Sequence, residues 1–215
     1  MTKSKSETEA FMEELKRFYS ENSSGLFTAS ATVTQRTAGG SAGSEGAYRL
    51  PQTLAVYAQG ICSVFDQIAK DAMSAADADY NGAAFDHIMI YHAGIGAETA
   101  SDSACQTDNI WSVYAPTVPV SAAQSDGIRN GAGDLFRYDG KTFSGATFVP
   151  ESESSGISPL GVICHEYGHQ LGLPDIYRTA SQSVVGKWSL MDSGVYIGSP
   201  QGSNPAHLDP WSKQF

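Results

Sequence analysis

Apolar positions recur at helical spacing in three stretches of the chain and alternate at strand spacing between them. Ser6-Glu-Thr-Glu9 reads as a capping box, and Phe11, Leu15 and Phe18 follow three or four residues apart. The first element is therefore an expected amphipathic helix, ending near residues 22–25 with its apolar face on the core. Residues 26–35 alternate and include Phe27, Thr28, Ala31 and Val33, which predicts a strand, and a mobile Gly/Ser/Ala loop is expected at residues 39–46. Pro51 opens a second helical stretch in which Leu54, Tyr57, Ile61, Phe65 and Ile68 form a core-facing stripe.

Phe85-Asp-His-Ile-Met-Ile-Tyr-His92 is a compact apolar run that stops at Ala93-Gly94, too short for a helix and suited to a central strand. Two further short strands are expected at residues 134–138 and 142–149. Ser158 followed by Pro159 makes a helix start, a cap and then the first helical position, and the helix should run over residues 160–171 until Gly172 stops it. After it come Pro174, Pro200, Pro205 and Pro210 among many Gly and Ser, so the last forty residues or so should be mostly irregular. The mixture of helices and strands is that of an α/β (α+β) domain.

Composition narrows this picture. At 215 residues, with 41% hydrophobic and 17% charged residues, the chain can bury one sizeable core, and a single domain over residues 1–215 is the expectation. The formal net charge of −10 surrounds it with a negative field that repels phosphate backbones, which argues against a nucleic-acid partner. No apolar run approaches the length of roughly eighteen residues that a membrane helix needs. The start, Met1-Thr-Lys-Ser-Lys-Ser, lacks the apolar core of an export signal. Cys62, Cys105 and Cys164 have no CxxC pairing; a Cys62–Cys105 disulfide would suit an exported protein, while buried free thiols are the simpler expectation.

The chemistry concentrates in His165-Glu166-Tyr167-Gly168-His169. On a helix, histidines four residues apart project from one face and can hold one ion, and Glu166 is close enough to act as general base on a water at that ion. Chance alone would produce HExxH in roughly one chain in a hundred or two of this size. The continuation Gln-Leu-Gly172-Leu-Pro-Asp175 makes coincidence a poor explanation. Gly172 can take the left-handed conformation that ends the helix and returns the chain, so Asp175 becomes the third ligand.

Three protein ligands and an open fourth position suit a catalytic zinc; a structural zinc would need a fourth ligand that the sequence does not visibly supply. A third ligand supplied by a downstream glutamate is excluded within this chain, because no Glu follows Glu166. Asp192, Asp209 and His207 are the other downstream candidates, and none has a spacing that ties it to the motif. A catalytically silent binding or adhesion domain is the alternative function, although its signature, loss of Glu166 or of a ligand, is missing.

HExxHxxGxxD followed by Trp188-Ser-Leu-Met191-Asp-Ser-Gly194 resembles the metzincin clan, in which a methionine turn lies beneath the metal. More narrowly, the chain is similar to the secreted bacterial metallopeptidases of the immune inhibitor A type. The resemblance runs through Asn22-Ser-Ser-Gly-Leu-Phe, Asp86-His-Ile-Met-Ile-Tyr-His-Ala-Gly, Asn109-Ile-Trp-Ser112, Val149-Pro-Glu151 and Gly161 to Tyr177. It implies a zinc endopeptidase acting on protein or peptide substrates, with a signal and pro-segment upstream and further chain downstream, and no partner beyond the substrate is expected of a monomer. It also implies a twisted mixed sheet with two long helices, an upper subdomain at residues 1–172, above a small irregular lower subdomain at residues 173–215. An extended substrate pairs with an edge strand in such folds, and residues 142–149 are the candidate.

The chain departs from that pattern in two places. Arg178 stands where family members often carry Asp, and the tyrosine by which some metzincins stabilise the oxyanion is missing after Met191; Tyr177 and Tyr196 are candidates for the role, with packing the default for each. Asp77-Ala-Asp79-Tyr-Asn81-Gly82, with Asp86 beyond, places oxygens at alternate positions around a glycine, as calcium loops do, and the resembling peptidases carry a similar loop there. Position twelve is Ile88, so the loop is no EF-hand, and a solvated acidic turn accounts for the same residues. His87 and His92 lack ligand spacing and are expected to serve the core or the surface.

Overall fold

In the computed structural model, which describes residues 3–34, 46–58, 65–100, 109–117, 136–178 and 182–214, the first helix, α1, spans Lys5–Asn22. Its cap is Ser4, whose hydroxyl accepts from the Glu7 amide while Glu7 reaches back to the Ser4 N–H, so the capping box sits two residues before the expected Ser6–Glu9. Both pairs have the required spacing, and the earlier one adds hydrogen bonds to the helix while burying Thr8. Met12, Leu15 and Tyr19 line the buried face.

Residues 27–34 form no strand. Their alternation is expressed in burial, since Phe27 and Val33 pack on the core, but no neighbouring strand takes up their backbone groups, so they cross the core as an extended strap. Of the loop expected at residues 39–46, only Gly46 lies within the described residues. The second helical stretch appears as α2, Leu54–Tyr57, and α3, Phe65–Ala76, with Ile61 and Cys62 outside the described residues between them.

The main sheet contains β1 (Met89–Ile95), β2 (Val113–Pro116) and β5 (Gly145–Ser152), while β3 (Arg137–Tyr138) and β4 (Lys141–Thr142) form a separate hairpin. The order is β1-β5-β2, with β1 parallel and β2 antiparallel to β5. Two expectations are corrected here. The run at residues 85–92, expected to be a central strand, enters the sheet four residues later, as Asp86 is engaged by Lys141. It lies at an edge with β5 as its one strand neighbour among the described residues, passing Gly94 at φ +90° through a register shift between His92 and Ile95. Residues 142–149, expected to be an edge, lead into the central strand: β5 has a partner on each side and is buried almost throughout. A strand buried on both faces reads as a nearly continuous apolar run, which Gly145-Ala-Thr-Phe-Val-Pro does.

Phe148 faces one core cluster with Phe65 and Ile68 of α3; Val149 faces the other with Leu15 and Tyr19 of α1 and Ile163 of α4. That last helix, α4, spans Leu160–Gln170 and lies in the second cluster, buried along nearly its whole length. It starts at Leu160 as expected and ends one residue before the expected 171; Pro159 takes the cap position instead of Ser158, whose hydroxyl still accepts from the Leu160 amide. Beyond it, residues 173–178 and 182–214 contain no α-helix or β-strand, only short 3-10 turns. Among the described residues no helix is long and apolar enough to cross a membrane.

Candidate metal centre

The end of α4 builds the site. Gly172 has φ +100°, its amide donates to His169 O, and the Leu173 amide donates to Gly168 O, the paired bonds of a Schellman turn. That turn sends residues 173–178 back under the helix, where the Ile176 amide donates to Met191 O. Asp175 is thereby carried to the histidines.

His165 Nε2, His169 Nε2 and Asp175 Oδ1 form a triangle with sides of 3.1, 3.1 and 3.3 Å. Three corners of a zinc tetrahedron with bonds of about 2.0–2.1 Å lie roughly 3.3–3.4 Å apart, so the donor set fits that ion closely. The remaining ring nitrogens have fixed partners: His165 Nδ1 lies 3.0 Å from Leu190 O and His169 Nδ1 lies 2.7 Å from Leu173 O. Carbonyls only accept, so both Nδ1 atoms carry the proton and both Nε2 lone pairs face the triangle. Without an ion, burial pushes His165 down, but the Asp175 hydrogen bond and the Glu166 charge outweigh it and lift the imidazole to about 9. Burial works against the Asp175 carboxylate too, yet bonds to His165 and His169 hold it well below the usual range.

Glu166 is buried, which raises its carboxyl above the ordinary value even though both imidazoles and a hydrogen bond favour the anion. That hydrogen bond, 2.8 Å from the Tyr114 amide to Glu166 Oε2, comes from the outer edge of β2. The cleft runs between this strand, with Trp111, Ser112 and Tyr114, and the triangle, with Tyr177 at its rim. The Tyr177 ring stacks at 17° on His165 and its hydroxyl bonds Asp175, so Tyr177 orients that carboxylate; Tyr196 lies in the field of Glu98, Glu153 and Glu166. Met191 is fully buried beneath the helix, so close that a Cβ on Gly168 would meet its sulfur at 2.9 Å.

His165, Glu166 and His169 also gather within 4.8 Å of one another, so Glu166 lies in reach of the same point as the triangle. The other candidates serve elsewhere. Asp192 caps a loop by accepting from the Val184, Val185 and Gly186 amides, Asp209 bonds Ser189 and Ser212, and His207 lies 3.9 Å from Glu21. In the acidic loop Tyr138 bonds Asp77, Tyr48 bonds Asp79, Asn81 accepts from the Ala83 amide, and Asp86 pairs with Lys141. Cys164 is free and buried, and burial pushes its thiol up; Cys62 and Cys105 lie outside the described residues. His87 rests beside Tyr167 and His92 is buried in the core. The wall from β2 escaped the sequence because backbone donors carry no residue signature; the one hint was Asn109-Ile-Trp-Ser112, which ends where β2 begins.

A helix-borne imidazole pair, a returning aspartate and a buried carboxylate at an open cleft are the features of the HExxH metallopeptidases. Residues 3–215 match the family described as immune inhibitor A peptidase M6, catalytic domain, and the chain belongs to that family. It is 30% identical over 226 residues to immune inhibitor A of Bacillus thuringiensis subsp. alesti, covering 95% of this chain and 32% of that protein. It is 33% identical over 173 residues to the pre-pro-metalloprotease PrtV of Vibrio cholerae serotype O1, covering 70% of this chain and 17% of that one. The chain thus spans a third or less of these curated relatives. No solved structure matches it.

Proposed function

We propose that this domain is a zinc-dependent endopeptidase of exported type, with Glu166 as general base and His165, His169 and Asp175 as the metal ligands. The observation that carries the reading is the 3.1–3.3 Å triangle with both Nδ1 atoms tied to carbonyls, since three lone pairs converging at nearly the edge length of a zinc tetrahedron suit an ion of that size. Bound there, zinc would polarise the scissile carbonyl and lower the pKa of an attacking water. Glu166 Oε2 is held by Tyr114, which leaves Oε1 to accept the proton of that water and to return it to the leaving nitrogen.

The substrate would lie along β2. It is one of the two edge strands of the main sheet, the one whose outer edge looks into the cleft, and an extended peptide could add to it as a further antiparallel strand. The buried Met191 under the ligand helix and the irregular residues 173–214 favour the metzincin arrangement, with residues 1–172 above and residues 173–215 below the cleft within one domain. The relative named as a pre-pro-metalloprotease supports export and processing. Zinc content and cleavage of an unfolded protein by the native chain and by Glu166→Ala test the reading. About one zinc per chain in both, with at least a hundredfold lower cleavage in the variant, is expected; zinc without cleavage in either would favour a silent binding domain, and absence of zinc would overturn the ligand set.

A further inference from the structure

Two buried side-chain atoms among the described residues have no hydrogen-bond partner, His92 Nε2 and Glu153 Oε1. Glu153 directly follows β5, is 5% exposed, and lies beside the carboxyl of Glu98 in the 3-10 turn Ala97–Thr99 that follows β1. The far side of each carboxylate is gripped. The Thr99 hydroxyl donates to Glu153 Oε2 and itself accepts from the Ser154 amide; Ser112 donates its amide to Glu98 Oε2 and its hydroxyl to Glu98 Oε1. Gly96 leaves the space for this, since a Cβ there would come within 2.5 Å of Glu98 Oε1.

These donors favour ionised carboxylates, whereas burial and the neighbouring Glu98 push the Glu153 carboxyl up to about 9. His92, whose Nε2 is the other buried atom without a partner, lies in the field of Glu98, but burial pushes its imidazole down. The two carboxyls bond each other, which takes a shared proton and leaves one negative charge on the pair, while a divalent cation neutralises both carboxylates and gives Glu153 Oε1 a partner. We propose that Glu98 and Glu153 hold a calcium ion where the ends of β1 and β5 meet the start of β2, separate from the catalytic triangle. Oxygen donors without nitrogen or sulfur select a hard cation, with carbonyls and water completing the six to eight oxygens calcium takes, and Thr99 and Ser112 act as the outer partners that aim the two carboxylates. Ser112 leads into β2, so the ion would brace the wall that holds Glu166.

The test needs no peptidase activity. The zinc-loaded chain carrying Glu166→Ala, in buffer free of calcium, is titrated with calcium chloride by calorimetry and by thermal scanning, with terbium luminescence excited through nearby Tyr196 as a direct probe. Expected is a Tm rise of about 5 to 10 °C at calcium a hundredfold above Kd, a terbium signal that calcium displaces, and loss of both in Glu153→Gln. Should that variant fail to fold, Ser112→Ala is expected to weaken calcium binding at least tenfold, and unchanged affinity would overturn the site. Absence of any calcium response, a response kept by Glu153→Gln, or one lost instead in Asp77→Asn with Asp79→Asn would also overturn it. So would a calcium-blind Tm that falls as pH rises from about 5 to about 9 and flattens in Glu153→Gln, because that is the mark of a retained proton.

Discussion

At the scale of single residues, the metal-free centre is a proton trap. His165 is lifted to about 9 by Asp175 and Glu166 against its own burial, so at neutral pH an ion must displace a proton from it. The sign follows directly: a raised imidazole keeps its proton until pH passes the folded value. Zinc affinity should therefore climb about tenfold per pH unit between about 7 and 9 and then level off. Competition against a chelator of known affinity at several pH values measures this, and a flat profile would mean that His165 is already neutral. Asp175 is the most exposed corner of the triangle, with 37% of its side chain exposed, and depends on the Tyr177 hydroxyl and the two imidazoles for its orientation.

Elements decide how those residues meet. Gly172 has a backbone that side chains avoid, so Gly172→Ala should cost about 1–2 kcal/mol, and because Asp175 follows the turn it should also lower zinc retention; a drop in Tm with unchanged zinc affinity would separate the turn from the ligand. Tyr114→Pro removes one N–H from the outer edge of β2, where proline is tolerated, and with it the hydrogen bond to Glu166. Zinc content should stay near one per chain while kcat falls about tenfold, the effect of one lost bond of roughly 1.4 kcal/mol. The helix that carries the histidines was legible in advance because its stop, Gly172, and its start, Ser158-Pro159, are local signals. The strap at residues 27–34 was misread as a strand for the opposite reason: alternation reports which side of the chain is buried, whereas a strand also needs a neighbour, and neighbours are not local.

For the whole molecule, stability is tied to pH through the loop beneath the centre. Burial opposes ionisation of Asp192, but the Val185 and Val184 amides and further donors overcome it and hold the carboxyl well below its usual range. A depressed carboxylate stabilises the fold above its unfolded value near 3.9 and ceases to do so as pH falls through the folded value. Asp192→Asn should thus lose about 2 kcal/mol at neutral pH, with the difference shrinking in acid. Thermal scans from neutral to acid pH give the comparison, and a difference independent of pH would point to shape rather than charge. Exposed Trp188, at 86%, sits on the same part of the molecule next to Leu190, whose carbonyl holds His165, so this loop is structurally part of the centre despite its irregular course.

The sequence by itself determined the cluster of His165, Glu166, His169 and Asp175 and the turn that unites it, because HExxHxxGxxD lies within eleven consecutive residues and its geometry follows from one helix and one glycine. It also determined the buried strand before that helix, although not its place in the sheet. Only the tertiary structure decided that β5 is central between β1 and β2, that Leu190 and Leu173 orient the imidazoles, and that the four side chains of the acidic loop meet separate partners. It also set Glu98 and Glu153 together from positions far apart in the chain. Those outcomes depend on backbone groups and on encounters between distant segments, and neither leaves a periodic or local trace in the order of the amino acids.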